Sequence, residues 1–165
     1  MTGGRKWGVR TQVVAQRGFS LIELLIVVAI ILIIAAIAIP NFLRAKMAAN
    51  ESSAVSSIHA VNTAEIAYSS ACPTIGFSAS LVELNTSTTC IGGTSQIDAT
   101  LAAGTKSGYV YTYAPVGATP YLSYTLNVDP MTRGVTGQRS FWSSEIAVTR
   151  YNQSAAASNT DNAIQ

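Results

Sequence analysis

The sequence has little charge and few of the residues that build reaction centres. It contains 8 acidic residues, 10 basic residues and one histidine among 165. We find no Gly-rich phosphate loop and no nucleophile motif, and His59 falls in a predicted helix, where a solvated or packed residue is the simpler interpretation. Asp98, Asp129 and Glu145 lack the spacing of a calcium-binding loop, which leaves a calcium site without support from the sequence. We therefore expect no catalytic site, no metal site and no cofactor, and a protein that is not an enzyme.

Acidic residues are absent from the first 18 positions, whereas Arg5, Lys6, Arg10 and Arg17 all lie there. Without these four bases, the remaining chain has six bases and eight acids. The formal net charge of +2 therefore arises from the N-terminal segment, and it is no argument for binding nucleic acid. We expect no nucleic-acid partner.

One long apolar run follows this basic segment. Residues 24–39 are sixteen consecutive apolar residues, and between residues 19 and 43 only Ser20, Glu23, Pro40 and Asn41 interrupt the pattern. A helix of about 20 residues covers roughly 30 Å, which is enough to cross the hydrocarbon core of a bilayer. The bases before the run predict a cytoplasmic N-terminus, with the bulk of the chain outside.

Two ordinary explanations of this run are incomplete. Ala36, Ile37 and Ala38 imitate a signal-peptidase site, but the apolar run is longer than the 7 to 15 or so residues of a secretory signal, and Pro40 follows closely. A plain membrane anchor fits the length of the run. It gives no role to residues 17–20 or to Glu23, a carboxylate near the start of a membrane span.

The stretch GFSLIELLIVVAIILIIAAIAIPNF, residues 18–42, resembles the leader junction and N-terminal helix of type IV pilins and of the related type II secretion pseudopilins. The resemblance implies that a prepilin peptidase removes residues 1–18 after Gly18 at the cytoplasmic face. Phe19 would then be the mature N-terminus and would be methylated. Residues 19–43 would form the transmembrane and filament-core helix.

The resemblance also implies a role for Glu23, which would pair with the Phe19 amine of a neighbouring subunit in a filament. The competing explanation is that the helix dipole stabilises a carboxylate in the first turn, by roughly 0.3 to 1 kcal/mol, without any partner. Pro40 lacks an N–H group and predicts a kink or local opening of the helix. Leu32 stands where members of the family often have glycine, which puts local melting between residues 32 and 40 on assembly in doubt.

Residues 44–71 continue as a predicted amphipathic helix. Apolar residues recur at helical spacing, and the polar residues Glu51, Ser57, Asn62 and Glu65 are expected to lie largely off this stripe. The stripe consists of Ala54, Ile58, Val61, Ala64 and Tyr68. It needs a partner, and the remainder of the chain is the only one available within this sequence.

That remainder predicts a small antiparallel sheet, so the expected fold class is α+β: a long N-terminal helix packed on a β-sheet head, as in type IV pilins. Strands are expected at 108–114, 121–128 and 141–151, joined by short turns in a meander within residues 108–151. The expected inward faces are Tyr109, Tyr111 and Tyr113 on the first strand, and Leu122, Tyr124, Leu126 and Val128 on the second. We expect residues 72–107 to be mostly loop with one short helix around 80–84, and the polar tail 152–165 to be loosely ordered.

The chain has two cysteines, Cys72 and Cys90, and both fall in the part predicted to lie outside the membrane. An even number in an oxidising compartment favours a disulfide over two free thiols. Closing a loop of this length would contribute roughly 3 kcal/mol.

These features lead to three hypotheses. The first is a type IV pilin-like structural subunit that polymerises into an extracellular filament for adhesion, motility or DNA uptake. The second is a pseudopilin that forms a short periplasmic piston in type II secretion, and the third is an anchored binding domain that never polymerises. The expected partners are other copies of the chain, a prepilin peptidase, an inner-membrane assembly platform and the lipid bilayer. The expected location is the bacterial inner membrane, with the N-terminus cytoplasmic, followed by the periplasm or a cell-surface filament.

Overall fold

The computed structural model describes residues 18–164, which belong to two compact units that meet between Ile39 and Pro40. The first 17 residues of the predicted leader, with their four bases, lie outside the described residues. The elements are α1 (Leu21–Ala71), α2 (Glu83–Thr86), α3 (Thr88–Ile91), α4 (Ala99–Ala102), β1 (Thr105–Lys106), β2 (Tyr109–Val116), β3 (Ser123–Pro130), β4 (Ser140–Ser144), β5 (Arg150–Asn152) and β6 (Asn162–Ala163).

The N-terminal unit contains the first part of α1. Between residues 21 and 39 every side chain is exposed except that of Ala35, which is half-buried. This part of α1 is long and apolar enough to cross a membrane. The large side chains of this part are about half exposed or more, and an exposed apolar surface of this extent is typical of one that lipid or another protein covers. Pro40 lies inside the bounds of α1, and the kink expected there stays a prediction.

The second unit combines the rest of α1 with a six-stranded sheet in the order β1-β2-β3-β4-β5-β6. All neighbouring strands are antiparallel, and the longest pairing joins β2 to β3 from Tyr109↔Pro130 to Val116↔Ser123. The predicted α+β class is therefore confirmed. The sheet has three more strands than predicted because very short strands, two or three residues long, extend it on both sides.

The core of this unit lies between α1 and the sheet. The whole predicted helix stripe is buried, with no member more than 3% exposed. From the sheet it meets Tyr109, Tyr124, Leu126, Val128 and Phe141, all 1% exposed or less. The inward faces of β2 and β3 are thus as predicted, with one exception. Leu122 is 78% exposed because it precedes β3, in the link from β2, where the alternation of a strand does not apply.

The single strand predicted at 141–151 is wrong. It is two strands, β4 and β5, separated by a turn in which the Ala147 N–H donates to the Ser144 carbonyl at 2.8 Å. Ala147 has a φ of +56°, a conformation that residues other than glycine seldom adopt. Its sequence, in an apolar run without glycine or proline, gives no sign of this turn.

Residues 72–107 are more regular than expected. They contain three short helices and β1 in place of one helix around 80–84. Side-chain caps begin two of these helices: the Asp98 carboxylate accepts from the Leu101 N–H, and the Ser87 hydroxyl accepts from the Cys90 N–H. The tail is also more ordered than predicted, because β6 pairs with β5 and the Ile164 N–H donates to the Thr149 carbonyl at 2.9 Å.

Candidate functional site

The predicted cleavage junction lies immediately before α1. Gly18 and Phe19 have no regular secondary structure, and Phe19 is 84% exposed. A Cβ atom added to Gly18 would meet no atom of residues 18–164 within 4 Å, so nothing in the described part of the chain requires glycine at the position. A requirement for glycine there would have to come from a second molecule, as expected for a peptidase that must approach the backbone closely.

Glu23 has a partner that the sequence analysis missed. The Ser20 N–H donates to Glu23 Oε2 at 3.1 Å, and the Ser20 carbonyl accepts from the Leu24 N–H at 3.2 Å. This is one half of a capping box, in which the third helical residue reaches back to the N-cap amide. The signal was available in the sequence as Ser-Leu-Ile-Glu at residues 20–23. The second oxygen, Oε1, has no hydrogen bond within residues 18–164 and is open to another donor.

The disulfide between Cys72 and Cys90 is confirmed. The two Cα atoms are 5.4 Å apart, and the bond connects the residue after α1 with α3. It closes a segment with a sequence separation of 18 residues, part of which packs on the core through Leu81 and Leu84. The bond thus links α3, and the segment that contains α2, to the end of α1.

Glu51 lies on the buried face of α1, and the prediction that it lies off that face is wrong. The carboxylate accepts from the backbone N–H groups of Gln138 at 2.8 Å and Arg139 at 3.1 Å, and from Arg139 Nε at 2.7 Å. Burial raises the pKa of Glu51, but these hydrogen bonds outweigh it and hold the pKa below the ordinary value. Next to it, Asn50 donates to the Thr136 carbonyl at 2.7 Å. Together the two side chains fasten the β3–β4 loop to the helix.

Glu65 is fully buried, which also contradicts the prediction that it lies off the stripe. It accepts from the Ser78 N–H at 2.9 Å and from the Ser78 hydroxyl at 2.6 Å. Burial raises the pKa of Glu65 because these neutral donors only partly replace the water that the carboxylate has lost. Ser78 in turn accepts from the Tyr113 hydroxyl through its carbonyl at 2.9 Å, so Glu65 anchors the segment after α1 to both helix and sheet.

Asn62 and Ser57 are each 3% exposed, so the prediction that they lie off the buried face is also wrong. Asn62 accepts from the Tyr124 hydroxyl at 2.9 Å and donates to the Ser143 hydroxyl at 3.0 Å. A signal for the glutamates was present. Positions 51, 54, 58, 61, 65 and 68 follow the alternating spacing of three and four that marks one helix face, and they include both acids.

The remaining candidate functional residues do not lie together in one site. His59 is exposed on α1. Asp98 pairs with Lys106 at 2.6 Å, and Glu145 accepts from the Ser123 hydroxyl at 2.7 Å. Among residues 18–164, no three His, Cys, Asp or Glu side chains lie close enough to hold a metal ion. The expected absence of a metal stays a prediction.

The N-terminal segment is similar in sequence to known proteins. Residues 14–39 match the family model described as the prokaryotic N-terminal methylation motif. Over 50 residues the chain is 54% identical to the type IV major pilin protein PilA of Myxococcus xanthus (strain DK1622). That alignment covers 30% of this chain and 23% of the relative. No solved structure matches the chain.

The chain therefore carries the methylation motif of prepilin-type proteins, on a long apolar helix that fits a membrane anchor. Its resemblance to the type IV pilin family is confirmed for this segment, and its helix-and-sheet architecture is pilin-like.

Proposed function

We propose that this chain is a filament subunit that is processed between Gly18 and Phe19 and then polymerises through the helix that follows. The observation that carries the proposal is the N-terminal unit itself. Directly after the junction, α1 exposes apolar side chains around its whole circumference from residue 21 to residue 39, apart from half-buried Ala35. A helix that buries one stripe against its own domain would not be apolar on every side.

The membrane and the filament can cover this surface in turn. Before assembly, residues 19–43 would cross the inner membrane with the N-terminus in the cytoplasm and the second unit outside. During assembly, an inner-membrane platform would move the helix from lipid into a bundle of identical helices. Both surroundings are apolar, so the transfer has a small free-energy difference for the aliphatic side chains. The polar groups at the N-terminus decide the outcome.

Glu23 would control this step. Its Oε2 atom accepts from the Ser20 amide of its own chain, whereas Oε1 is free to accept from the Phe19 amine of a neighbouring subunit. An unpaired carboxylate inside a helix bundle carries a penalty on the order of several kcal/mol, and pairing removes most of it. Pairing with an amine at a fixed position would also set the axial stagger between neighbouring helices.

The similarity to a major pilin favours a type IV pilus subunit over a type II secretion pseudopilin. Adhesion, motility and DNA uptake are the roles that such a filament would serve. Deletion of the gene separates the two filament functions, because it should remove surface pili from the cells if the chain is a pilin. Loss of protein secretion with pili intact would instead identify a pseudopilin.

The test of the proposed function compares Glu23→Ala with Glu23→Gln. Glutamine retains an oxygen that can accept from the Ser20 amide but has no charge for an amine, so the pair separates capping from pairing. Both variants should be cleaved and inserted normally and should yield few or no filaments in sheared preparations viewed by electron microscopy. Filaments lost only in Glu23→Ala would show that the cap matters and the ion pair does not. Normal filaments from both variants, at equal protein abundance, would support the non-polymerising anchored domain.

A further inference from the structure

Two adjoining clefts lie where β5 and β6 meet the β3–β4 loop. The larger encloses about 540 Å³ and is lined by Arg139, Tyr151, Asn162, Ala163 and Ile164. The smaller encloses about 250 Å³ and is lined by Tyr151, Asn152, Gln153, Ser154, Asp161 and Asn162. Tyr151 and Asn162 line both, so the two clefts share part of their walls. The larger cleft alone is within the usual size of a small-molecule site, roughly 300 to 1,000 Å³.

Several polar groups of these clefts have no hydrogen-bond partner in the part of the chain that the structure describes. They are the two terminal nitrogens of Arg139, the Tyr151 hydroxyl, and the side-chain amides of Asn162 and Gln153. Two acids near these clefts accept hydrogen bonds from groups of the same chain. Asp161 accepts from Ser158 and Asn152, and Glu51 accepts from Gln138 and Arg139. Among the described lining residues, the one carboxylate is that of Asp161 in the smaller cleft, so the larger cleft offers the Arg139 guanidinium without a carboxylate in its lining.

Arg139 is held in place before any ligand arrives. Its Nε donates to Glu51, and its guanidinium carbon lies 5.6 Å from the ring centre of Phe141 and 5.5 Å from that of Tyr151. A guanidinium fixed by an ion pair and two rings loses little side-chain entropy on binding. Its planar pair of terminal nitrogens matches the two oxygens of a carboxylate.

We propose that these clefts bind an acidic saccharide, with the sugar carboxylate on the terminal nitrogens of Arg139 and sugar hydroxyls on Asn162, Gln153 and the Tyr151 hydroxyl. A hydroxyl-rich ring fits because the free groups include amides and a phenol, which both donate and accept. An apolar ligand would leave all these groups desolvated and unpaired. This binding role goes beyond assembly of a filament and does not depend on it, because every residue of the site lies in one unit of one chain.

The first experiment titrates the full-length protein in detergent micelles with three probes: glucuronic acid, glucose and acetate. Binding is followed by NMR at the backbone amides of Tyr151 and Asn162 and at the Arg139 Nε–H. Glucuronic acid should bind about tenfold more tightly than either other probe, because each lacks one half of the recognised chemistry. Equal binding of acetate would overturn the sugar assignment. Equal binding of glucose would overturn the acidic one, and no saturable shift with glucuronic acid would overturn both.

The second experiment uses variants that remove only free groups. Tyr151→Phe and Asn162→Ala remove no side-chain hydrogen bond within residues 18–164, so both should fold normally. Together they should weaken glucuronic acid binding by about tenfold or more. Thr112→Ala, at an exposed position on β2 outside both clefts, is the matched control and should bind like the original protein. Unchanged affinity in the double variant, with its amide spectrum showing an intact fold, would overturn the proposed site.

Discussion

The two units of the chain use the same helix in opposite ways. In the N-terminal unit, α1 is apolar and exposed on almost every side. In the second unit, α1 buries one face only, and that face mixes apolar side chains with Glu51, Ser57, Asn62 and Glu65. A surface covered by lipid or by identical helices needs only to be apolar, whereas a face covered by a folded head can carry polar groups where that head supplies partners. Loops supply them for Glu51 and Glu65, and the sheet supplies them for Asn62.

The two units also differ in where their polar contacts lie, and these contacts decide how specific the packing is. In the described part of the N-terminal unit, the Ser20 amide donates to the Glu23 carboxylate where α1 begins. The second unit has polar contacts along its length: Asn50 and Glu51 to the β3–β4 loop, Asn62 to β3 and β4, and Glu65 to Ser78. Buried polar groups restrict the number of acceptable packings, because any shift leaves one of them unpaired.

The largest expected effect concerns processing. It tests whether glycine at position 18 is required by the fold of the chain or by the proposed peptidase. Gly18→Val should leave the fold unchanged, because a Cβ atom at this position meets no atom of residues 18–164 within 4 Å. It should block removal of the leader by obstructing the enzyme. Intact mass spectrometry of the purified protein should then show the full-length precursor only, against a cleaved and methylated chain for the original sequence. A mature N-terminus at Ile39 or Pro40 in the original protein would refute the junction and favour a secretory signal.

The next prediction compares one isoleucine from each unit. Ile58 is completely buried and Ile33 is 64% exposed. Ile58→Ala should lower the free energy of unfolding by about 2 to 5 kcal/mol, since it removes core contacts and leaves a cavity. Ile33→Ala should change it by less than about 0.5 kcal/mol. Denaturant unfolding of the full chain in detergent, followed by near-UV circular dichroism, measures both, and similar losses would contradict the division between the units.

Removal of the disulfide should affect the second unit alone. The double variant Cys72→Ser, Cys90→Ser should lose about 3 kcal/mol of unfolding free energy, the loop-entropy estimate for this separation. Membrane insertion should be unchanged, because both cysteines lie outside the apolar segment. Quantitative alkylation of both thiols in unreduced native protein would show that the bond does not form.

The sequence predicts the N-terminal unit better than the head, for a physical reason. An apolar run and a processing motif are local signals, and no distant partner is needed to read them. In the head, the inward tyrosines of β2 and the helix stripe were predictable from periodicity. The turn at Ala147 and the two-residue strands were not, because they depend on contacts between segments far apart in the sequence.

The positions of the buried acids were predicted wrongly for a different reason. Their positions on the stripe could be read from the spacing, but their chemistry argued for exposure. What permits their burial is a set of donors on distant loops: Gln138 and Arg139 for Glu51, and Ser78 for Glu65. Those pairings arise only in the folded chain. The capping role of Glu23, by contrast, was fully encoded within four residues.

The smallest expected effect compares these two acids through their opposite pKa shifts. Hydrogen bonds from Gln138 and Arg139 outweigh burial and lower the pKa of Glu51, while burial raises the pKa of Glu65. The ionised form of Glu51 is favoured by folding, so its contribution is present above the ordinary carboxyl pKa and is lost as the pH falls through the folded value. For Glu65 the sign reverses: its contribution is present below the ordinary pKa and is lost as the pH rises through the folded value.

Unfolding free energies of the original protein, Glu51→Gln and Glu65→Gln between about pH 3.5 and 7.5 test this sign. The unfolding free energy of the original protein minus that of Glu51→Gln should decrease towards low pH, because only the original protein loses a favourable ionised group there. The unfolding free energy of the original protein minus that of Glu65→Gln should decrease towards high pH, because only the original protein must ionise a buried carboxyl group. A hydrogen bond altered by the substitution shifts a free-energy difference by a constant and does not change its slope against pH. The other titrating groups are the same in the original protein and the variant, so their contributions cancel. Slopes of the same sign would show that the two acids have equivalent surroundings, contrary to the distinct partners at Arg139 and Ser78.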